Sequence, residues 1–158
     1  MVYIQDLEGR RDPALFENDK VGIGSRLFDC VRIRADRAEA DPVLGRYVRQ
    51  APCVVLLRPN REAVAVLKTR TSAGRLVGSM SKTLRKDFDN KLSAIVREAR
   101  DLAKKETALQ LQRDRLARLD RRQDRDRLQK EIETKEAALI QRREALYTLQ
   151  PRGGKAHT

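Results

Sequence analysis

The chain is poor in the residues on which most catalytic chemistry is built. It has one histidine, His157, no tryptophan, and an aromatic content of 4%. Metal sites need clusters of His, Cys or carboxylates at ligand spacing, so no metal centre or cofactor site is expected. No nucleophile elbow and no isolated pair of carboxylates can be written along the chain. Cysteine is confined to Cys30 and Cys53. Both fall in apolar, strand-like runs, where a free thiol behaves as a small hydrophobe, and both are expected as reduced core residues. No apolar run reaches the roughly 18 to 20 residues that span a bilayer, so no membrane insertion is expected. The start, Met1-Val2-Tyr3-Ile4-Gln5-Asp6, has neither a basic nor an apolar leader region, which gives a cytoplasmic location as the expectation. A further absence is local: from Ser79 to Gln150 there is neither glycine nor proline.

What the chain has in abundance is charge. Its 158 residues are 37% charged, with a net charge of +12 and a pI near 10.3. Lys+Arg stand at 17 against 11 Asp+Glu up to residue 88, and at 18 against 12 beyond it, so the excess is spread over both halves. Such a field attracts nucleic acid, anionic lipid or an acidic protein without choosing between them. Apolar residues are placed less evenly. The continuous run Cys53-Val54-Val55-Leu56-Leu57 lies in the first half, whereas only a thin periodic stripe follows residue 85 or so, which places the core in the first half.

Local patterns give the elements. Val2 to Gln5 reads as a strand ended by the turn-rich Asp6-Leu7-Glu8-Gly9. Asp12-Pro13 offers an N-cap with proline at the first helical position, and Leu15, Phe16 and Val21 would face a core. Gly22-Ile23-Gly24-Ser25-Arg26 superficially resembles a phosphate loop but lacks the Lys-Ser/Thr ending and precedes a strand, so it reads as a flexible turn. Phe28 to Ala35 alternates with period two and reads as a second strand. Asp41-Pro42 starts a short helix through Val43, Leu44 and Tyr47. Pro52 to Leu57 is apolar on both faces and therefore a central strand. The turn Arg58-Pro59-Asn60-Arg61 leads into an antiparallel strand, Ala63 to Leu67. Ser72 opens a helix that presents Leu76, Val77, Met80 and Leu84 to the sheet.

The glycine-free, proline-free stretch predicts extended helix. Its stripe runs through Leu84, Phe88, Leu92, Ile95, Ala99 and Leu102, then Leu109, Leu116 and Leu119, then Leu128, Ile132, Leu139, Leu146 and Leu149, at coiled-coil spacing. Between Leu119 and Leu128 the stripe fails. Either one long helix passes through, held by pairs such as Glu131 with Lys135, or the chain bends into an antiparallel helical hairpin. The lack of a glycine in the bend favours the continuous helix, which would need a partner helix in a dimer or another protein. The domains expected are residues 1–88, a charged helical segment or coiled coil over 89–150, and a disordered tail over 151–158.

The order strand, helix, strand, helix, hairpin pair and closing helix resembles the thioredoxin-like fold without its optional first strand and helix. The resemblance covers roughly residues 1–88 and is carried most specifically by Val48-Arg49-Gln50-Ala51-Pro52-Cys53-Val54-Val55-Leu56-Leu57-Arg58-Pro59-Asn60. It implies an α/β fold with a four-stranded mixed sheet and flanking helices, and a cis-proline at Pro52. Active members carry Cys-x-x-Cys at the start of the helix after the first strand. The matching segment here, Asp6 to Pro13, contains no cysteine. Disulfide exchange needs a thiolate at that helix N-terminus and a second thiol to resolve the mixed disulfide, so the resemblance implies a redox-inactive member.

The function expected is therefore a non-catalytic interaction or scaffold module. Its docking surface would centre on Asp6, Arg10, Arg11, Ala51 and Pro52. Its helical segment would take a protein partner or self-associate through Leu92, Ile95, Ala99, Leu102, Leu109, Leu116, Leu119, Leu128, Ile132, Leu139, Leu146 and Leu149. Two alternatives stand beside it. Nucleic acid could be held by Arg113, Arg115, Arg118, Arg121, Arg122, Arg125 and Arg127, although Asp114, Asp120, Asp124 and Asp126 interrupt the run and aromatics for base stacking are few. A weak redox role could rest on Cys53, the one thiol beside the proline.

Overall fold

The computed structural model describes residues 1–6, 14–119 and 121–151. Two compact units are present, one formed by Met1–Ala94 with the chain from Leu149 onward, the other by Ile95–Thr148.

The first unit is an α/β fold built on a four-stranded mixed sheet. Strand β1 (Val2–Gln5) pairs in parallel with β2 (Val31–Arg34) and antiparallel with β3 (Cys53–Leu57), which pairs antiparallel with β4 (Ala63–Lys68). The spatial order is β2-β1-β3-β4. Alternation along the strands sorts the core into two layers. Val2, Ile4, Cys53 and Val55 pack with Ala35, Ala38 and Leu44. Tyr3, Val54 and Leu56 point the other way, and the Tyr3 ring meets Phe16 edge-on at 5.3 Å.

Helices cover both faces. Helix α1 (Asp19–Ser25) is capped by Asn18, whose side chain accepts from the Lys20 N–H, and packs on α3 (Ala73–Asp87), which lies against β3 and β4. Asp12-Pro13 falls outside the described residues, and Ala14–Glu17 is a turn of 3-10 helix. Gly22 to Ser25 is thus helical and not a loose turn; at Gly24 a Cβ would come within 2.9 Å of the Met80 Cε, so glycine permits the close approach of α1 to α3. Helix α2 (Ala35–Glu39) packs on β1 and β2. The alternating pattern had extended β2 to Ala35, but the strand ends at Arg34 because Ala35 and Ala38 turn inward at helical spacing. After it, Asp41 Oδ1 accepts from the N–H groups of Val43 and Leu44 and opens a 3-10 helix, Leu44–Gln50. The β3–β4 turn places Arg61 in the left-handed region at φ 65°, stabilised locally by Asn60 Oδ1 accepting from the Glu62 N–H.

Helix α3 follows its sequence signals. Ser72 accepts from the Arg75 N–H at its start, and Leu76, Met80, Thr83 and Leu84 are buried. It does not run on into the next helix as the uninterrupted stripe predicts. Phe88 is extended and bridges to Pro151; the Asp89 N–H donates to the Gln150 carbonyl, and Asn90 Oδ1 accepts from the Gln150 N–H. Pairing of this extended stretch with the chain at Gln150 and Pro151 ends the helix with no glycine or proline of its own at the break. Arg58 of the β3–β4 turn grips Asp87 at the last turn of α3, Nη2 to Oδ1 at 2.5 Å.

The second unit is a hairpin. Helix α4 (Leu92–Leu116) begins in the first unit and continues through the second; α5 (Arg122–Leu146) is joined to it by a turn at Ala117 and Arg118. The continuous helix favoured by the missing glycine is therefore corrected. Cross-helix pairs Lys135–Gln112, Arg113–Glu136, Arg143–Glu106 and Arg142–Glu98 set an antiparallel register. Folding back brings the two parts of the stripe together and buries Leu102, Leu109 and Ile132, which a lone helix would leave in water.

Leu76 has no exposed surface and lies where α3 covers the sheet. Leu76→Ala should lower unfolding free energy by about 2 to 5 kcal/mol in urea titrations, with an unchanged urea slope.

Candidate functional site

The ends of β1 and β4, the start of β3 and the first 3-10 turn enclose a cleft of about 1040 Å³. Asp6 and the cis peptide Ala51–Pro52 line it, so these docking residues of the sequence reading come together; Arg10 and Arg11 lie outside the described residues. The positions are set by backbone bonds. The Ala51 N–H donates to the Val48 carbonyl at 3.0 Å and closes the 3-10 helix, while the Thr69 N–H donates to the Pro52 carbonyl at 3.4 Å, tying the end of β4 to the start of β3.

Charge in the cleft is mixed and mainly basic. Arg49, Lys68 and Arg70 contribute exposed cations; Asp6 and Glu17 contribute carboxylates. Tyr3 and Leu15, both buried, form apolar wall. The docking surface expected from the sequence does not include Arg49, Lys68 or Arg70. A signal was present: a short β3–β4 turn sets a register in which Cys53 faces Lys68, so the basic end of β4 must lie beside Pro52.

The thiols do not serve this cleft. Cys53 follows Pro52 but is fully buried, packed with Val2, Ile4 and Val55, its Sγ 3.8 Å from the Tyr47 carbonyl. Burial pushes its thiol up to about 11. Cys30, expected in the core, is instead exposed just before β2, where its Sγ donates to the Ser25 carbonyl at 3.2 Å. The strand-like alternation misplaced it because regular pairing starts only at Val31. Partial burial raises its thiol as well.

The pairing stripe divides between the two units. Leu92 is buried near Met80 and Gly24, and Leu149 lines a pocket with Val2, Leu27 and Leu57, all in the first unit. In the hairpin Ile95, Leu102, Leu109 and Ile132 are buried, and Ala99, Leu116, Leu119, Leu128, Leu139 and Leu146 half-buried. Arg113, Arg115, Arg118, Arg121, Arg122, Arg125 and Arg127, strung out in the sequence, gather around the α4–α5 turn, and all are exposed. Among the described residues no group of His, Cys, Asp or Glu could hold a metal ion, and no helix is long and apolar enough to cross a membrane. Comparison with protein-family models, curated proteins and solved structures returns no match.

The thiol environments set an expected labelling pattern. In the folded protein at pH 8, a disulfide reagent should modify Cys30 and spare Cys53, and Cys30→Ser should give no titre until denaturant is added. Because folding raises the Cys53 value, its contribution to stability is complete below the ordinary thiol value of about 8.5 and falls as pH rises towards 11. Equal labelling of both thiols at pH 8 would contradict this burial.

Proposed function

We propose that the protein is a non-catalytic interaction module whose first unit is a redox-inactive member of the thioredoxin-like class, and that the Pro52 cleft docks an extended, carboxylate-bearing segment of a protein partner. The observation that carries this reading is the make-up of the cleft. It joins a concave apolar wall to Arg49, Lys68 and Arg70, while the neighbouring thiol is turned into the core. The strand order β2-β1-β3-β4, with one parallel and two antiparallel pairs, supports the class. Positions 6–13, where active members hold their paired thiols, contain no cysteine. A thiol held near pH 11 has little thiolate at neutral pH, which argues against the single-cysteine redox alternative.

Concave sites that mix apolar wall with a few convergent polar groups are suited to ligands. Here the exposed cations outnumber the carboxylates, so an acidic extended segment gains both burial and long-range attraction. Within the hairpin Ile95, Leu102, Leu109 and Ile132 are buried without a second chain, whereas Ala99, Leu116, Leu119, Leu128, Leu139 and Leu146 keep part of their surface, so a protein partner or a second copy along the stripe stays a secondary part of the proposal.

The test is selection of peptides from a display library on the full chain. Enriched peptides should be acidic, and Lys68→Glu with Arg70→Glu should weaken them at least tenfold, about 1.4 kcal/mol, without a change in Tm. Peptides that bind the double variant as tightly as the parent would overturn the docking assignment.

A further inference from the structure

Between Lys105 and Lys130 every cation is an arginine. Along the body of the hairpin several of the charges are neutralised in pairs: Lys105 with Asp101, Lys135 with Glu131, Arg142 with Glu98, Arg143 with Glu106. At the turn this changes. Arg115, Arg118, Arg121, Arg122 and Arg125 are exposed, and among the described residues none of them takes part in an ion pair. The aspartates there, Asp114, Asp120, Asp124 and Asp126, are fewer than the seven arginines from Arg113 to Arg127. Asp114 accepts from the Gln110 amide at 3.0 Å and not from a guanidinium, and an aspartate head stays close to its helix while an arginine head reaches well beyond it. In one straight helix these side chains would spread over about 15 Å and around the whole circumference. The bend folds them onto one end.

We propose that this turn end of the hairpin binds the sugar-phosphate backbone of duplex nucleic acid, as a site separate from the Pro52 cleft. The guanidinium plane matches phosphate oxygens two at a time, which suits an all-arginine cluster. Neither α4 nor α5 contains an aromatic residue, so no platform exists there for stacking unpaired bases, and contact rests on the regular phosphate array of a duplex. Leu116, Leu119 and Leu128 at the turn are half-buried, and among the described residues the exposed large apolar side chains of the hairpin are Leu111 and Ile140, too few for the apolar face that holds a basic helix in a lipid surface. Phosphate contacts carry no base information, so binding is expected to be independent of sequence.

Fluorescence anisotropy of the full chain with a labelled 20-base-pair DNA duplex tests the site. About four neutralised phosphates give a log–log salt slope near −3.6, hence a loss of roughly 150-fold in affinity between 50 and 200 mM salt. Changing Arg118, Arg121, Arg122 and Arg125 to Gln should weaken binding at least tenfold and flatten the slope, with an unchanged circular dichroism spectrum. A control that removes the same charge from the exposed Arg37, Arg46, Lys82 and Arg85 should lose distinctly less. The single strand of the same length should bind more weakly than the duplex. The site is overturned by duplex affinity that ignores salt, by equal losses in the control, by preference for the single strand, or by tighter binding to vesicles of phosphatidylserine and phosphatidylcholine than to DNA.

Discussion

Burial of strand β3 on both faces and both edges is the constraint from which the first unit follows. Cys53, Val54, Val55 and Leu56 have no exposed surface, and the strand is flanked by β1 on one side and β4 on the other. A strand with no polar face must receive a layer on each side, which α1 and α3 supply on one face and α2 with its following 3-10 helix on the other. Its ends are then placed as well. Pro52 sits where the strand begins and the cleft opens, and Arg58 sits where it ends, pinning the turn to Asp87. The same burial raises the Cys53 thiol, so the feature that stabilises the sheet also keeps sulfur chemistry away from the cleft.

The hairpin depends on less. Its two helices share one narrow seam, with Leu102, Leu109 and Ile132 buried and much of the rest half-covered. Ion pairs across the seam fix the register but contribute modestly, since each partner is well exposed. Placing paired charges along the body and unpaired arginines at the turn converts an evenly charged sequence into an uneven surface. Net charge alone did not reveal this, because 18 basic and 12 acidic residues beyond residue 88 are compatible with many distributions.

Much of the sheet was legible. β1, β3, β4 and the start of α3 carry strong local signals: a β-branched run, a two-sided apolar run, a Pro-Asn turn and a serine cap. What sequence patterns missed has a common physical cause, namely tertiary contacts that replace local breakers. Phe88 leaves the helix to pair with Pro151, Ala35 starts a helix because it packs inward, and the α4–α5 bend needs no glycine once two stripes can bury each other. The cleft was half legible. Asp6, Ala51 and Pro52 were found from the resemblance, whereas Lys68 and Arg70 reach the cleft through β-sheet register and not through any motif.

Native-state hydrogen exchange on the full chain tests the central role of β3 most directly. The account predicts that the amides of Val54, Val55 and Leu56 exchange last, only through global unfolding, while amides of α5 exchange through a lower-energy opening. Protection of β3 no greater than that of α5 would contradict it.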